Sequence, residues 1–316
     1  MNKILECVVG SNLYGTNNEN SDKDILGIFI AEEDNYLGLN IVEEITENIV
    51  SKNDSGKNNT DAVDKKFYEI KNFFKLAFQN NPNIIELFYI NEPNIVFKNE
   101  VYDVIKENSI YFLDTEQIKN RFLGYACSQK HKMIIKLENY DILKEAYDIL
   151  ENSDKKFLVD ETNFNKFEFR KNINTEYRVA DISIPRNISI KRAKDILQTR
   201  LGRVGHRQEL ILKYGYDCKY SSHALRLLKE GKELLQTGKI EFPLKDRNLL
   251  LDIKNGKYVL SEVLEMIEEE EESYKNLKLD RLYKHDFNKI NDLLIYLLKN
   301  SLFFEKRIDL DKLFDN

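Results

Sequence analysis

The chain has 316 residues, 42% hydrophobic and 32% charged, with a formal net charge of −6. That length is enough for a full core and predicts two domains, while the negative balance excludes a global field that would draw in nucleic acid. The three cysteines, Cys7, Cys127 and Cys218, lie far apart with no CxxC, which excludes a disulfide framework and a zinc ribbon and suits a reducing cytoplasm. The opening MNKILECVV lacks the apolar core and cleavage site of a signal peptide, and the apolar run INDLLIYLLKNSLFF is broken by Asp292 and Lys299. A soluble cytoplasmic protein with no membrane partner is expected.

In chain order, residues 4–9 read as a strand, 11–21 as a turn or short helix, and 24–30 as a second, apolar and β-branched strand. The polar, turn-rich SKNDSGKNNTD at 51–61 predicts a surface loop, followed by a short strand over 62–67. YEIKNFFKLAFQ then carries apolar residues at helical spacing and stops at NNPN, a helix-end pattern. From about Thr115 the pattern is amphipathic and helical, except for alternation near 154–184 that predicts a small β element or insertion. The expected architecture is an α/β (α+β) N-terminal domain with a small mixed sheet, residues 1–114. A mainly α-helical C-terminal domain, 115–316, follows.

The segment GSNLYGTNNENSDKDILGIFI carries the most chemistry. Residues two apart in a strand share a face, with Cα atoms roughly 6.5–7 Å apart, so Asp22 and Asp24 aim two carboxylates at one place. Left alone they repel, whereas a divalent cation with hard-oxygen preference removes that cost. Gly10 lets backbone approach a ligand closely, and its amide with the amide and hydroxyl of Ser11 offers donors to phosphate oxygens. Asp-x-Asp alone is also an ordinary solvated strand end, and Gly-Ser an ordinary turn. Their order here (strand, Gly-Ser turn, spacer, Asp-x-Asp opening a second strand) favours a site.

Gly10-Ser11, ten intervening residues and Asp22-x-Asp24 resemble the fingerprint of the DNA polymerase β-like nucleotidyltransferase superfamily. The longer GSNLYG…SDKDILGIF, with YEIKNFFKLAFQNNPNIIELFY and YGYDCKYSSHALRLL, resembles its RNA-ligase-associated branch, from about residue 4 to Lys299. The resemblance implies a third carboxylate before YEIKNF, where Asp61 and Asp64 stand. Only one of them can share the pair's face. Asp64 has the parity of Ala62 and Lys66, Asp61 that of Val63 and Phe67, which look like core; this and the family spacing favour Asp64, with Asp61 still open.

The resemblance also implies a role for the helix opened by Asp217, in which Lys219, His223 and Arg226 share one face at i, i+4 and i+7. As pattern alone this is a solvated cationic face; within the family motif it would meet the triphosphate or the acceptor. The implied activity moves a nucleoside monophosphate from a nucleoside triphosphate to an acceptor hydroxyl. Asp22, Asp24 and Asp64 would be catalytic and hold two Mg²⁺ ions about 3.5–4 Å apart, or Mn²⁺ in their place. Gly10, Ser11, Tyr14, Lys219, His223 and Arg226 would bind nucleotide, Tyr14 by stacking on a base or simply by packing. RNA is the expected acceptor and a protein hydroxyl the alternative. From another class, a non-catalytic nucleotide binder on the same fold is opposed by the intact Gly-Ser and Asp-x-Asp elements. KHK at 130–132 and RxGRxGHR at 200–207 are further basic clusters, and Glu268 to Glu272 reads as a solvated helix face.

Overall fold

Four strands within the first seventy positions and a fifth near residue 95 build a five-stranded mixed sheet. The computed structural model describes residues 2–18, 21–49, 63–171, 174–203, 211 and 213–302. The predicted 51–61 loop with Asp61, and residues 204–207 of the second basic cluster, lie outside the described residues. The sheet contains β1 (Asn2–Val9), β2 (Lys23–Ile30), β3 (Glu44–Ile49), β4 (Val63–Glu69) and β5 (Ile95–Lys98), in the order β3-β4-β2-β1-β5. β2 and β4 run parallel and the other neighbours antiparallel. Short helices α1 (Ser11–Tyr14) and α2 (Asp34–Leu37) follow β1 and β2.

One face of this sheet carries a compact apolar cluster of Phe29, Ala31 and Phe67, with Tyr36, Val42 and Ile45 packed against it. Gly27 is required there: a Cβ would stand 2.3 Å from the Phe67 ring and 2.5 Å from the Leu5 carbonyl. At the end of β4, buried Glu69 caps α3 (Ile70–Phe78) by accepting from the amides of Lys71 and Asn72, while the Tyr36 hydroxyl donates to its other oxygen.

α3 stops where NNPN predicts it. Asn80 takes the left-handed conformation at φ 52° and is fully buried. Its amide donates to the carbonyls of Ala77 and Phe112, at 3.1 and 2.7 Å, and its oxygen accepts from the Asp114 amide at 2.9 Å. Asp114 in turn accepts from the Gln117 amide in the first turn of α6 (Thr115–Glu151) and from Lys284. α4 (Pro82–Ile85) and α5 (Glu100–Glu107) lie between these two points.

By contacts the chain forms two compact units, one of Met1–Gly124, Leu227–Leu251 and Glu270–Asn316, the other of Tyr125–Arg226 and Asp252–Glu269. The second contains the predicted β element as an antiparallel three-stranded meander, β6 (Glu168–Lys171), β7 (Asn174–Val179) and β8 (Ile182–Pro185). Phe164, Tyr177, Val179 and Ile184 share a core there with Leu143 and Leu150 of α6 and with Ala193 and Leu197 of α7 (Ile190–Arg203). The remaining helices are α8 (Cys218–Thr237), α9 (Arg247–Lys254), α10 (Leu260–Lys275) and α11 (Phe287–Leu302). None of the described helices is long and apolar enough to cross a membrane. The acidic run on α10 is more than a solvated face: Glu270 receives both Lys229 and Lys232, at 3.3 and 3.0 Å.

Asn80→Ala is expected to cost about 2–4 kcal/mol, because it strands the Phe112 carbonyl and Asp114 amide in the core. Asn80→Gly should recover about 1 kcal/mol of that by relieving the backbone alone. Urea midpoints of the three proteins measure both steps; a midpoint unchanged in the alanine variant would contradict this role.

Candidate functional site

Strand directions decide where the predicted residues meet. β1 is antiparallel to β2, so its last residue, Val9, pairs with Asp24 near the start of β2. β2 is parallel to β4, and Asp24 pairs with Asp64. The Gly10 turn and the openings of β2 and β4 therefore lie at one end of the sheet. Asp24 and Asp64 are neighbours on one face, on adjacent strands that pack roughly 4.8 Å apart. Asp64 has the parity of Lys66 while Phe67 is buried on the other face, as the alternation predicts. Asp22 sits just before β2, exposed, with its carbonyl accepting from the Asn12 side chain at 3.3 Å.

Gly10 adopts φ 66° and ψ −143°, a conformation almost confined to glycine. A Cβ at this position would stand 2.5 Å from Oδ2 of Asp24. The bare backbone thus leaves the space into which the Asp24 carboxylate projects.

A cleft of about 380 Å³ opens over these groups. Gly10, Tyr14, Asp24, Asp64, Lys66 and Glu86 line it. Ser11 and Asp22 are outside its lining, the first half-buried at the start of α1. Tyr14 packs near Phe242, ring centroids 6.1 Å apart, and its hydroxyl donates to Glu86 Oε2 at 2.8 Å. Glu86, only 2% exposed, was not singled out in the sequence. Its signal was the lone carboxylate in the apolar run IIELF, which demands a buried partner.

Lys66 was missed for a different reason: single lysines carry little information in a lysine-rich chain. It ion-pairs with Glu44 at 2.8 Å and lies over the Tyr68 ring at 4.9 Å.

The lining offers carboxylates and no imidazole or thiolate, a donor set suited to magnesium rather than zinc. Among the described residues, no three His, Cys, Asp or Glu side chains form a group able to hold a metal ion. Asp24 and Asp64 are hard-oxygen donors of the kind Mg²⁺ takes, whereas Asp22, outside the cleft lining, completes no three-carboxylate group with them. The cysteines offer no competing nucleophile in the first unit: burial pushes the Cys7 thiol far up, with the charges of Glu6 and Glu86 adding to it. Burial likewise pushes Cys218 up to about 11.

Lys219, His223 and Arg226 fall in the second unit, on α8. Asp217 caps this helix as predicted, accepting from the amides of Lys219 and Tyr220 at 3.2 and 3.3 Å. The three side chains differ in setting. Lys219 is exposed, His223 half-buried, and Arg226 4% exposed. Nη2 of Arg226 is 2.7 Å from Nε2 of His223. A guanidinium cannot accept, so Nε2 accepts and the ring proton belongs on Nδ1. In the first predicted basic cluster, Lys130 reaches Glu268 at 3.1 Å while His131 and Lys132 are exposed; in the second, Arg200 pairs with Asp181.

Gly10→Ala should destabilise the protein by about 1–3 kcal/mol through backbone strain, with the clash against Asp24 in addition. In the double variant Gly10→Ala/Asp24→Ala the clash is gone, so its loss should be smaller than the sum of the two single effects. Melting temperatures of the three variants measure this coupling; strict additivity would mean that the carboxylate does not occupy the glycine's space.

The family profile described as the RNA repair pathway DNA polymerase beta family matches residues 1–301. An uncharacterized 38.9 kDa protein from the nrdC–mobD intergenic region of Enterobacteria phage T4 is 28% identical over 298 residues, spanning 85% of this chain and 87% of that protein. A nucleotidyltransferase-like protein from Exiguobacterium sibiricum 255-15 aligns structurally over 94% of this chain and 82% of its own. Its TM-score of 0.25 and 11% identity are too low to carry an argument. With its profile matched over nearly the full length, the chain belongs to the RNA repair pathway DNA polymerase beta family.

Proposed function

We infer that this protein is a magnesium-dependent enzyme that transfers a nucleoside monophosphate from a nucleoside triphosphate to a hydroxyl at an RNA end. The observation that carries this is the register that puts Asp24 beside Asp64 at the sheet end where Gly10 turns. The RNA repair description of the family supports RNA as the acceptor.

Asp22, Asp24 and Asp64 are the residues that would hold magnesium. Bound there, the metal supplies Lewis-acid polarisation of phosphoryl oxygens and lowers the pKa of the attacking hydroxyl. The chain's own residues do the rest. Backbone at Gly10 and Ser11 approaches and donates to the terminal phosphates. Asp64, on the strand beside Asp24, serves the acceptor side. In the transfer the acceptor oxygen bonds to the α-phosphorus as the α–β bridging P–O bond breaks, and pyrophosphate departs. Tyr14, its hydroxyl held by Glu86, borders the phosphate turn. Lys219, His223 and Arg226 come into this function through the family motif, with Lys219 the exposed member.

Incubation with each α-labelled ribonucleoside triphosphate, Mg²⁺ and either total cellular RNA or total protein tests the activity. Label in RNA is expected. Label in protein alone would favour a protein hydroxyl, which the net charge of −6 makes the second reading. Label in neither would overturn the proposal. Asp22→Ala, Asp24→Asn and Asp64→Asn should each lower transfer by at least about a hundredfold while leaving the melting temperature nearly unchanged or raised, since each relieves like-charge repulsion.

The helix cations are expected to separate by burial. Lys219→Ala should weaken triphosphate binding about tenfold, as loss of one charge-assisted hydrogen bond would, with little change in stability. Arg226→Ala should lower the melting temperature, because it removes a buried side chain hydrogen-bonded to His223. Calorimetric titration and thermal melts read the two effects; an unaltered affinity in the Lys219 variant would remove that residue from the nucleotide site.

A further inference from the structure

Two lysines line the cleft over the carboxylates, and their parity separates them. Lys65 follows Asp64 by one residue and reaches the opposite face of the sheet, where it meets Glu6 at 3.1 Å. Glu6 is itself clamped by Lys3 at 2.7 Å, so the Lys65 ammonium is committed to a half-buried ionic cluster. Lys66 stands two residues beyond Asp64, on the carboxylate face, directly opposite Thr46 of β3. Among the described residues its ionic partner is Glu44 on that edge strand, and the pair is open to solvent, with side chains 36% and 46% exposed. Such a pair holds its partners weakly and exchanges them readily.

A cleft that collects Asp24, Asp64 and Glu86 repels anions unless cations offset them. Magnesium held by the aspartates offsets part of the charge, and a phosphorylated ligand then adds more negative charge of its own. Lys66 is the lining cation placed on that face. Its neighbour Tyr68 continues the same face one further step along β4, with its ring beneath the ammonium.

We propose that Lys66 is a phosphate-binding residue of the cleft, which leaves Glu44 to engage a phosphate oxygen of the nucleoside triphosphate or of the terminal phosphodiester of the RNA acceptor. This rests on the nucleotidyltransferase reading above and adds to it a cation in the same compact unit as the carboxylates. Glu44 is the internal competitor for that cation. Removing either member of the pair therefore changes phosphate affinity in opposite directions, whereas a merely structural ion pair would move both variants the same way.

The test is calorimetric titration of the wild type, Lys66→Met, Lys66→Arg, Glu44→Gln and Lys65→Met, each well below its melting midpoint. One arm uses each ribonucleoside triphosphate with Mg²⁺, the other a short RNA with a free 3′ hydroxyl. Lys66→Met should weaken one of the two ligands by about tenfold or more, the scale of one charge-assisted hydrogen bond, and the arm affected names the source of the phosphate. Lys66→Arg should keep most of that affinity, and Glu44→Gln should tighten binding by about threefold, the scale of a surface ion pair. Lys65→Met should leave both affinities as they are in the wild type. Unchanged affinity of Lys66→Met in both arms, with the wild type binding, would overturn the role of Lys66 and leave the transferase reading standing. Glu44→Gln weakening binding as Lys66→Met does, or Lys65→Met matching its loss, would also overturn it. A wild type that binds neither ligand would overturn both.

Discussion

The parallel pairing of β2 with β4 is the constraint on which the candidate site depends. A parallel neighbour starts at the same end of the sheet, so the openings of both strands meet there, and antiparallel β1 delivers its closing turn to that end. Reversing either relation would send Asp64 or Gly10 to the far end. The register is locked from the opposite face, where the Phe67 ring lies across Gly27 and packs with Phe29. A slip of one residue would carry Phe67 to the wet face and Lys66 into the core. The apolar cluster therefore positions the carboxylates without touching them.

That arrangement works against local electrostatics. Neighbouring carboxylates at one sheet end repel, and a fold selected for stability alone would separate them. Departures from local consistency concentrate at functional sites. Gly10 is the second departure at the same place, a residue in a conformation that few others tolerate, with the Asp24 carboxylate in the space a side chain would need. The turn that carries Gly10 is tied to the core through Tyr14, whose hydroxyl donates to buried Glu86.

What was legible in the sequence was local. Apolar runs marked β1 and β2, and strand parity over 62–67 separated Asp64 from core-facing Phe67; NNPN marked the end of α3 through Asn80; Asp217 marked the start of α8. β3 and β5 escaped because they are edge strands, EITENI and IVFK, with one neighbour each and largely exposed residues. An edge strand has one sheet neighbour to satisfy and needs no strong apolar pattern. Glu86 escaped because its partner is 72 residues away, and Lys66 because its value depends on the edge strand opposite. The inclusion of Leu227–Leu251 and Glu270–Asn316 with the N-terminal residues in one compact unit rests on contacts between distant segments, which helical periodicity does not encode.

Charge also divides into two kinds that composition does not separate. Several cations among the described residues are bound to nearby carboxylates: Lys229 and Lys232 to Glu270, Lys65 and Lys3 to Glu6, Arg200 to Asp181. Such cations neutralise their own surroundings and contribute little to a field that could draw in a polyanion. The net charge of −6 therefore says less about an RNA partner than does the placement of individual cations. For an enzyme acting at one end of a chain this is sufficient. Affinity for a long polynucleotide grows with every phosphate neutralised, but an end is held by contacts to a few phosphates beside the reacting atom. A net charge of −6 disfavours adsorption along a polyanion, so the proposed binding of an RNA end rests on local contacts in the cleft.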